Sequence, residues 1–374
     1  MPDQNNYKSN VKRIAYFVSP HGFGHAARAA AVMQAISEID ASVEFEIFTT
    51  VPSWFFQDSM SASFNCHAVL TDIGLVQESA FQADLNKTIG SLDDFLPFPV
   101  SLISEITATI TTLNCALIIC DISPLGLAIG SKAGIPTVLI ENFTWDWIYA
   151  QYAAADSRFN RHINYLRSLF ETAVYHIKTE PVCCSCSADL TTPPVSRKIK
   201  TPADRIRKSL GLPEIAKMVL VTTGGINQRY GFLKALKKIP DVQFVMPGAG
   251  SKMEIRQNCV ILPRRSDFYH PDLVNAADAV VGKVGYSTLA EVYHAGVPFG
   301  YVTRSNFRES EPMAAFIEKA MPGLFFKEPD FNSGRWLAKL QDLLKLNHVQ
   351  QRVTNGAEQI GRFIRDRILR NHGP

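Results

Sequence analysis

Short runs of β-branched and other apolar residues, without polar alternation, recur along the chain between longer amphipathic stretches. In the first half they read RIAYFV (13–18), VEFEIF (43–48), HAVL (67–70), ALIIC (116–120), PTVLI (136–140) and AVYHI (173–177), with helical patterns such as 25–39 and 99–113 between them. Strands apolar on both faces suit a parallel sheet, because each crossover lays a helix against one side or the other. The stretch TTPPVSRKIKTPADR (191–205) breaks the pattern with prolines and bases and predicts a linker. The pattern then restarts with MVLVTT (218–223), VQFVM (242–246), CVIL (259–262), AVVG (279–282), PFGYVT (298–303) and GLFF (323–326). The expected class is α/β, with two doubly wound domains, 1–190 and 206–354, facing one another across a cleft. A helix over 355–374 has the length to cross back onto the first domain. Ligands are expected at the carboxyl ends of the strands, and 374 residues accommodate two such cores.

Charge and cysteine usage exclude some classes. A net charge of +3 without any block of like charge argues against a nucleic-acid or membrane-surface partner. The opening MPDQNNYKSNVKR is polar, and no run reaches the roughly 18 apolar residues of a membrane span, so a cytoplasmic protein without a transmembrane segment is expected. Seven scattered cysteines read as reduced thiols. Cys183 and Cys186 form one C-x-x-C, but zinc needs four ligands and no second pair stands nearby. The oligomeric state is left open.

Two loops carry chemistry. Gly22-Phe23-Gly24-His25-Ala26-Ala27 follows a strand and opens a helix, and formally satisfies G-x-G-x-x-G/A, a loop whose backbone N–H groups receive an anion. A dinucleotide site also wants an acid at the end of the second strand; here Glu44 and Glu46 fall inside that strand. His25 becomes a credible general base if a carboxylate holds its other ring nitrogen. Asp121, ending ALIIC, lies at the same sheet edge and is the candidate, although it equally suits the cap of the helix after Pro124. In the second half, VVGKVGYSTLAEV ends a strand in Gly282-Lys283-Val284-Gly285 and starts a helix with Ser287 and Thr288. Their hydroxyls and N–H groups suit a diphosphate, and Glu291, one turn in, suits a ribose. The alternative is a capping box from Thr288 to Glu291.

This segment resembles the donor-binding motif of nucleotide-sugar glycosyltransferases built from two Rossmann-like domains (the GT-B fold), such as the enzyme that adds N-acetylglucosamine to lipid I. YFVSPHGFGHAARA, ENFTWDWIYAQYAAA, AADAVVGKVGYSTLAEV and GVPFGYVTRSNFRESEPM also resemble the glycosyltransferase-like N-terminal region of L-arabinokinases. The resemblance covers the glycosyltransferase-like region and not the kinase half, so kinase activity is not expected of these residues.

The resemblance implies that Glu291 holds the nucleotide ribose. Gly285, Ser287 and Thr288 would meet the diphosphate, with Gly224 and Gly225 closing over it and Gly24 approaching from the opposite half. Leu262–Phe268, with Arg265 and Phe268, would border the base. His25, oriented by Asp121, would face the acceptor or the transferred sugar, and Glu311 would contact the donor sugar. Where many such enzymes carry an Asp/Glu-Gln or Gln-Asn pair, this chain has Arg308-Glu309-Ser310-Glu311, which leaves the sugar open.

On the acceptor side stand His21, Asn142, Trp145 and Asp146. The two tryptophans of NFTWDW serve equally to stack on an acceptor or to pack the interdomain face. No Asp-x-Asp spacing is present to hold a metal on the diphosphate, so neither metal nor cofactor is expected, and helix ends and bases would neutralise the leaving group. The expected reaction is transfer of a sugar from a nucleotide-diphosphate donor, UDP-linked, to the hydroxyl of a small-molecule or glycan acceptor. A nucleotide-sugar hydrolase or epimerase, or a non-catalytic nucleotide-sugar binder, are the alternatives.

Overall fold

The computed structural model describes residues 12–79, 81–224 and 230–369. The first half contains β1 (Lys12–Val18), α1 (Phe23–Ile39), β2 (Val43–Thr49), α2 (Ser53–Ser59), β3 (Phe64–Ala68), α3 (Leu85–Phe95), α4 (Val100–Thr112), β4 (Cys115–Asp121) and α5 (Pro124–Ala133). It continues with β5 (Thr137–Glu141), α6 (Trp145–Ala150), α7 (Phe159–Phe170), β6 (Tyr175–Thr179) and β7 (Leu190–Thr192). The second half runs α8 (Ala203–Ser209), β8 (Lys217–Thr222), α9 (Leu233–Leu236), β9 (Val242–Gly250), β10 (Glu254–Arg256), β11 (Cys259–Pro263), α10 (His270–Ala276) and β12 (Ala279–Lys283). Then follow α11 (Tyr286–Ala295), β13 (Phe299–Val302), α12 (Ser310–Ala320), β14 (Gly323–Phe325), α13 (Glu328–Ser333), α14 (Leu340–Leu344) and α15 (Gly356–Phe363).

These elements form two seven-stranded sheets, ordered β3-β2-β1-β4-β5-β6-β7 and β10-β11-β9-β8-β12-β13-β14. Every pairing is parallel except the β10–β11 edge. Each order reverses once, between β1 and β4 and between β8 and β12, and a doubly wound sheet opens a crevice at that point. Close approach is enforced at the second reversal: a Cβ on Gly282 would run into the Thr222 carbonyl. The unbroken apolar runs are the buried central strands; Ile14–Val18 and Leu117–Asp121 are inaccessible to solvent.

Two strands are displaced from the sequence reading, and the three-residue edge strands β7 and β10 lack an apolar run to announce them. β3 lies at 64–68 rather than 67–70, because an edge strand keeps polar residues such as Asn65 exposed and loses the unbroken apolar signature. β6 lies at 175–179 rather than 173–177, and its buried Lys178 is satisfied by the Cys184 and Cys186 carbonyls. Among the described residues no single helix is long and apolar enough to cross a membrane; α3 and α4 pass that test only as a pair bent by 69°.

Alanine-rich α1 presents small side chains, so its neighbours come close. α15 packs there, with Gly361 against Ala35 and Ile39, and Ala357 and Ile360 buried. The chain thus passes between the halves twice. Asn355 joins the two passages, donating from Nδ2 to the Ser196 carbonyl at 2.9 Å and accepting from its N–H at 3.3 Å.

Candidate active site in the interdomain cleft

The register pairs Val18 with Asp121, so the end of β1, the start of α1 and the last residue of β4 converge on one edge. His25 and Arg28, three residues apart, share a face of α1. His25 Nδ1 lies 2.9 Å from Asp121 Oδ1. Arg28 donates to both oxygens of the same carboxylate, from Nε at 2.8 Å and from Nη2 at 2.6 Å. Burial alone would push the Asp121 carboxyl up, but the Arg28 guanidinium outweighs it and holds the group below the usual carboxylate range. An ionised carboxylate only accepts, so Nδ1 carries the proton of the neutral ring and Nε2 is its basic nitrogen.

The network continues into the second half. Arg28 Nη1 donates to Asn142 Oδ1 at 2.7 Å, and Asn142 Nδ2 donates to Glu309 Oε1 at 2.8 Å. The Arg28 guanidinium lies 4.7 Å from the ring centroid of Tyr286, the first residue of α11. Asp121, Arg28 and Asn142 are at most 1% exposed.

Two cavities adjoin along the carboxyl edge of the second sheet. One, of about 550 Å³, is walled by the ends of β8, β9 and β11, and includes Gly224, Gly248, Arg265 and Phe268. Phe23 and Trp54 of the first half cover it, stacked under Arg264 (4.8 Å) and Arg265 (5.5 Å). The other, of about 420 Å³, reaches His21, Gly24, His25, Lys283, Gly285 and Arg304. Gly224, Ser287 and Thr288 line both. Ser287 Oγ stands 3.9 Å from where a side chain on Gly24 would begin, so the two halves nearly touch at the neck.

Other sequence candidates sit elsewhere. Glu291 is buried one layer behind the first cavity. Arg197 Nε and Nη2 donate to its Oε1 at 3.1 and 2.8 Å, and His270 Nδ1 lies 2.6 Å from Oε2. Burial would raise this carboxyl too, but Arg197 and then His270 hold it low. Arg197 itself lies in the linker, over Phe55 and Tyr269 and bonded to Ser59 of the first half. Trp145 is 1% exposed and packs beneath His21 and His25, at 5.1 and 6.3 Å between ring centroids, so it props the histidines and offers no open face for stacking. Asp146 points to Arg167 at 3.5 Å, away from both cavities. Gly225 lies outside the described residues.

Glu311 requires a correction. It is exposed in a depression beside Tyr301 and Ala314 that shares Arg304 and Phe307 with the His25 cavity, whereas Glu309, two residues earlier, is 4% exposed and lines the His25 cavity itself. Two residues around the start of α12 turn a side chain by roughly 200°, which sends these two acids to opposite faces. Arg28 is a further site residue, and its signal in the sequence is a cation amid AARAAAVM three residues after His25. Lys283, Arg304 and His270 had none beyond their loops. Among the described residues no three His, Cys, Asp or Glu side chains gather in metal-ligand geometry.

No family model matches the chain. It is 27% identical over 368 residues to L-arabinokinase of Arabidopsis thaliana, covering 96% of this chain and 35% of that protein. It is 23% identical over 253 residues to the UDP-N-acetylglucosamine–N-acetylmuramyl-(pentapeptide) pyrophosphoryl-undecaprenol N-acetylglucosamine transferase of Bacillus licheniformis, covering 62% of this chain and 64% of that enzyme. The chain therefore spans 35% and 64% of the lengths of the curated relatives it matches. Among solved structures, the calicheamicin glycosyltransferase CalG4 superposes with a TM-score of 0.60 at 14% identity, over 97% of this chain and 96% of that one. Medicago truncatula UGT71G1 complexed with UDP-glucose gives 0.57 at 15% identity, over 96% and 94%. Two doubly wound sheets meeting across a shared cleft, over nearly the whole length of such structures, give this chain the GT-B fold of glycosyltransferases.

Proposed function

We propose that the protein transfers a sugar from a nucleotide-diphosphate donor, UDP-linked, to an acceptor hydroxyl. The observation that carries this reading is the pair of adjoining cavities that share the amino end of α11, with the His25–Asp121 pair in the second. Along the second sheet the order runs from the nucleoside-sized space at β11 and β9, through Gly224, Ser287 and Thr288, to the space beside β12 and β13. A nucleotide sugar has the same order of parts. Backbone N–H groups at the start of α11 suit the diphosphate. The UDP-glucose in one structural relative and the UDP sugar in the bacterial relative's name support the uridine assignment.

In this reading His25 Nε2 takes the acceptor proton as the acceptor oxygen attacks the anomeric carbon. The bond from that carbon to the diphosphate breaks, and its electron pair leaves on the phosphate oxygen. Asp121 stabilises the imidazolium that forms, and α11 stabilises the leaving group. Closure of the halves excludes water, the competing acceptor.

Thermal-shift and calorimetric titration with UDP and UDP-sugars test the reading, together with turnover on an acceptor panel. UDP should bind to both wild type and His25→Ala, and turnover should fall by about 10²–10⁴-fold in the variant. Failure of any nucleotide to bind, or turnover indifferent to His25→Ala, sinks it.

A further inference from the structure

Among the described residues, the sugar end of the proposed donor path sets two buried cations, Lys283 and Arg304, against one buried carboxylate, Glu309. Lys283 ends β12 and Arg304 follows β13; both line the His25 cavity and neither lines the nucleoside cavity. They are 8% and 9% exposed. Arg28 is answered by Asp121. Arg304 faces Glu309 only loosely, at 3.8 Å, its Nε has no hydrogen-bond partner, and its guanidinium is fixed flat on Phe307 at 3.4 Å. Lys283 makes no hydrogen bond or ion pair with any described residue. Asp72, the other acid in the wall, is bonded to Ser19 Oγ, and burial pushes its carboxyl up to about 7, toward the neutral form.

Burying an ammonium whose one nearby carboxylate also faces an arginine is costly, and Lys283 shows it: burial first, then Arg304, push its pKa down to about 7 against the opposing pull of Glu309. A carboxylate placed between the two cations would remove that cost and receive a planar, charge-assisted contact from the guanidinium. The diphosphate has its own place at the neck, where Gly224, Ser287 and Thr288 meet.

We infer that Lys283 and Arg304 form a carboxylate subsite, so that the sugar carried by the donor is a uronic acid. This rests on the donor-binding reading above. Lys283 and Arg304 both belong to the half that would hold the nucleotide, which favours the donor sugar over the acceptor as the owner of the carboxylate.

The test compares affinities of the full chain for UDP, UDP-glucose and UDP-glucuronate, and, without a base, for glucose 1-phosphate and glucuronic acid 1-phosphate. The uronate should bind about tenfold or more tightly than its neutral partner in both pairs. Lys283→Met and Arg304→Met should each shrink that ratio to about threefold or less while leaving UDP within about twofold. Equal affinity within both wild-type pairs overturns the inference, and needs no variant to fold. A loss of UDP affinity in Lys283→Met as large as the loss of UDP-glucuronate affinity also overturns it, because the lysine then serves the diphosphate. If UDP fails to bind while the 1-phosphates discriminate, the uridine reading falls and the carboxylate subsite stands.

Discussion

Arg28 grips both oxygens of Asp121, at 2.8 and 2.6 Å, in a pair that solvent does not reach. His25 leans on the same carboxylate, so one acid answers a structural cation and orients the proposed base. The two duties separate under substitution.

Asp121→Asn leaves a buried guanidinium uncompensated, which costs about 3–5 kcal/mol when one partner of such a pair is removed. His25→Ala removes no charge partner that Arg28 depends on, and should change stability by about 1 kcal/mol or less. Urea unfolding of the two variants beside their turnover checks this. Equal losses of stability would show that the histidine, too, holds the fold together.

Acid should expose the buried carboxylates together. Asp121 and Glu291 are both held below the ordinary range by adjacent cations, so their folded forms are the more acidic. The stability they supply is fully present above about pH 4 and is lost as the pH falls through their folded-state values. Urea midpoints measured from pH 5 down to 2.5 should drop steeply in wild type. The double replacement Arg28→Met with Asp121→Leu should flatten part of that slope; an unchanged slope refutes the assignment.

Lys283 predicts a trend of the same sign, from a different cause, on the alkaline side. With its folded pKa near 7 against an ordinary value of about 10.4, the unfolded chain holds the extra proton across that interval, and stability rises with pH. From pH 7 to 8.5 the gain is at most about 2 kcal/mol. Lys283→Met should abolish it and be the more stable protein at pH 7. The window stops short of the buried thiols, since Cys115 and Cys120 titrate above the usual thiol range.

Glu291→Ala should act twice. It removes the carboxylate that the glycosyltransferase resemblance assigns to the ribose and that here backs Arg197 and His270 in the cavity wall, weakening UDP binding by roughly 1–3 kcal/mol, and it strands Arg197 at a cost of about 3–5 kcal/mol in stability. Calorimetric titration below the unfolding range separates the two. Undiminished UDP affinity would assign Glu291 to the linker contact alone.

Gly74→Ala tests the seat of His21. Gly74 has φ of +63°, and a Cβ there would come within 2.5 Å of His21 Nδ1. Strain plus displacement should cost roughly 1–3 kcal/mol. Turnover should suffer more than UDP affinity, because His21 lines the second cavity and not the first.

The parts of this molecule legible in the sequence are those written by local pattern. Central strands such as 13–18 and 279–282 announce themselves because both faces are buried, and the meeting of His25 with Asp121 follows from parallel strands ending at one edge. Tertiary events left no such trace. Whether Glu309 or Glu311 points inward depends on where α12 begins, and RESEP is acidic at both positions. NFTWDW leaves stacking and packing equally open for Trp145 until Tyr149 and Phe143 are found packed around it. Glu291 reads as free to take a ribose; its actual partner, Arg197, comes 94 residues earlier, from a stretch whose basic composition suggests only solvent.

The mutual hydrogen bonds of Ser196 and Asn355 fasten the outgoing and returning passages side by side. A single tether would let one lobe swivel freely over the other, but two stitched together act as the spine of a book. Such a seam resists swivelling more than one tether would, and an opening that turned about it would carry the imidazole along a single arc.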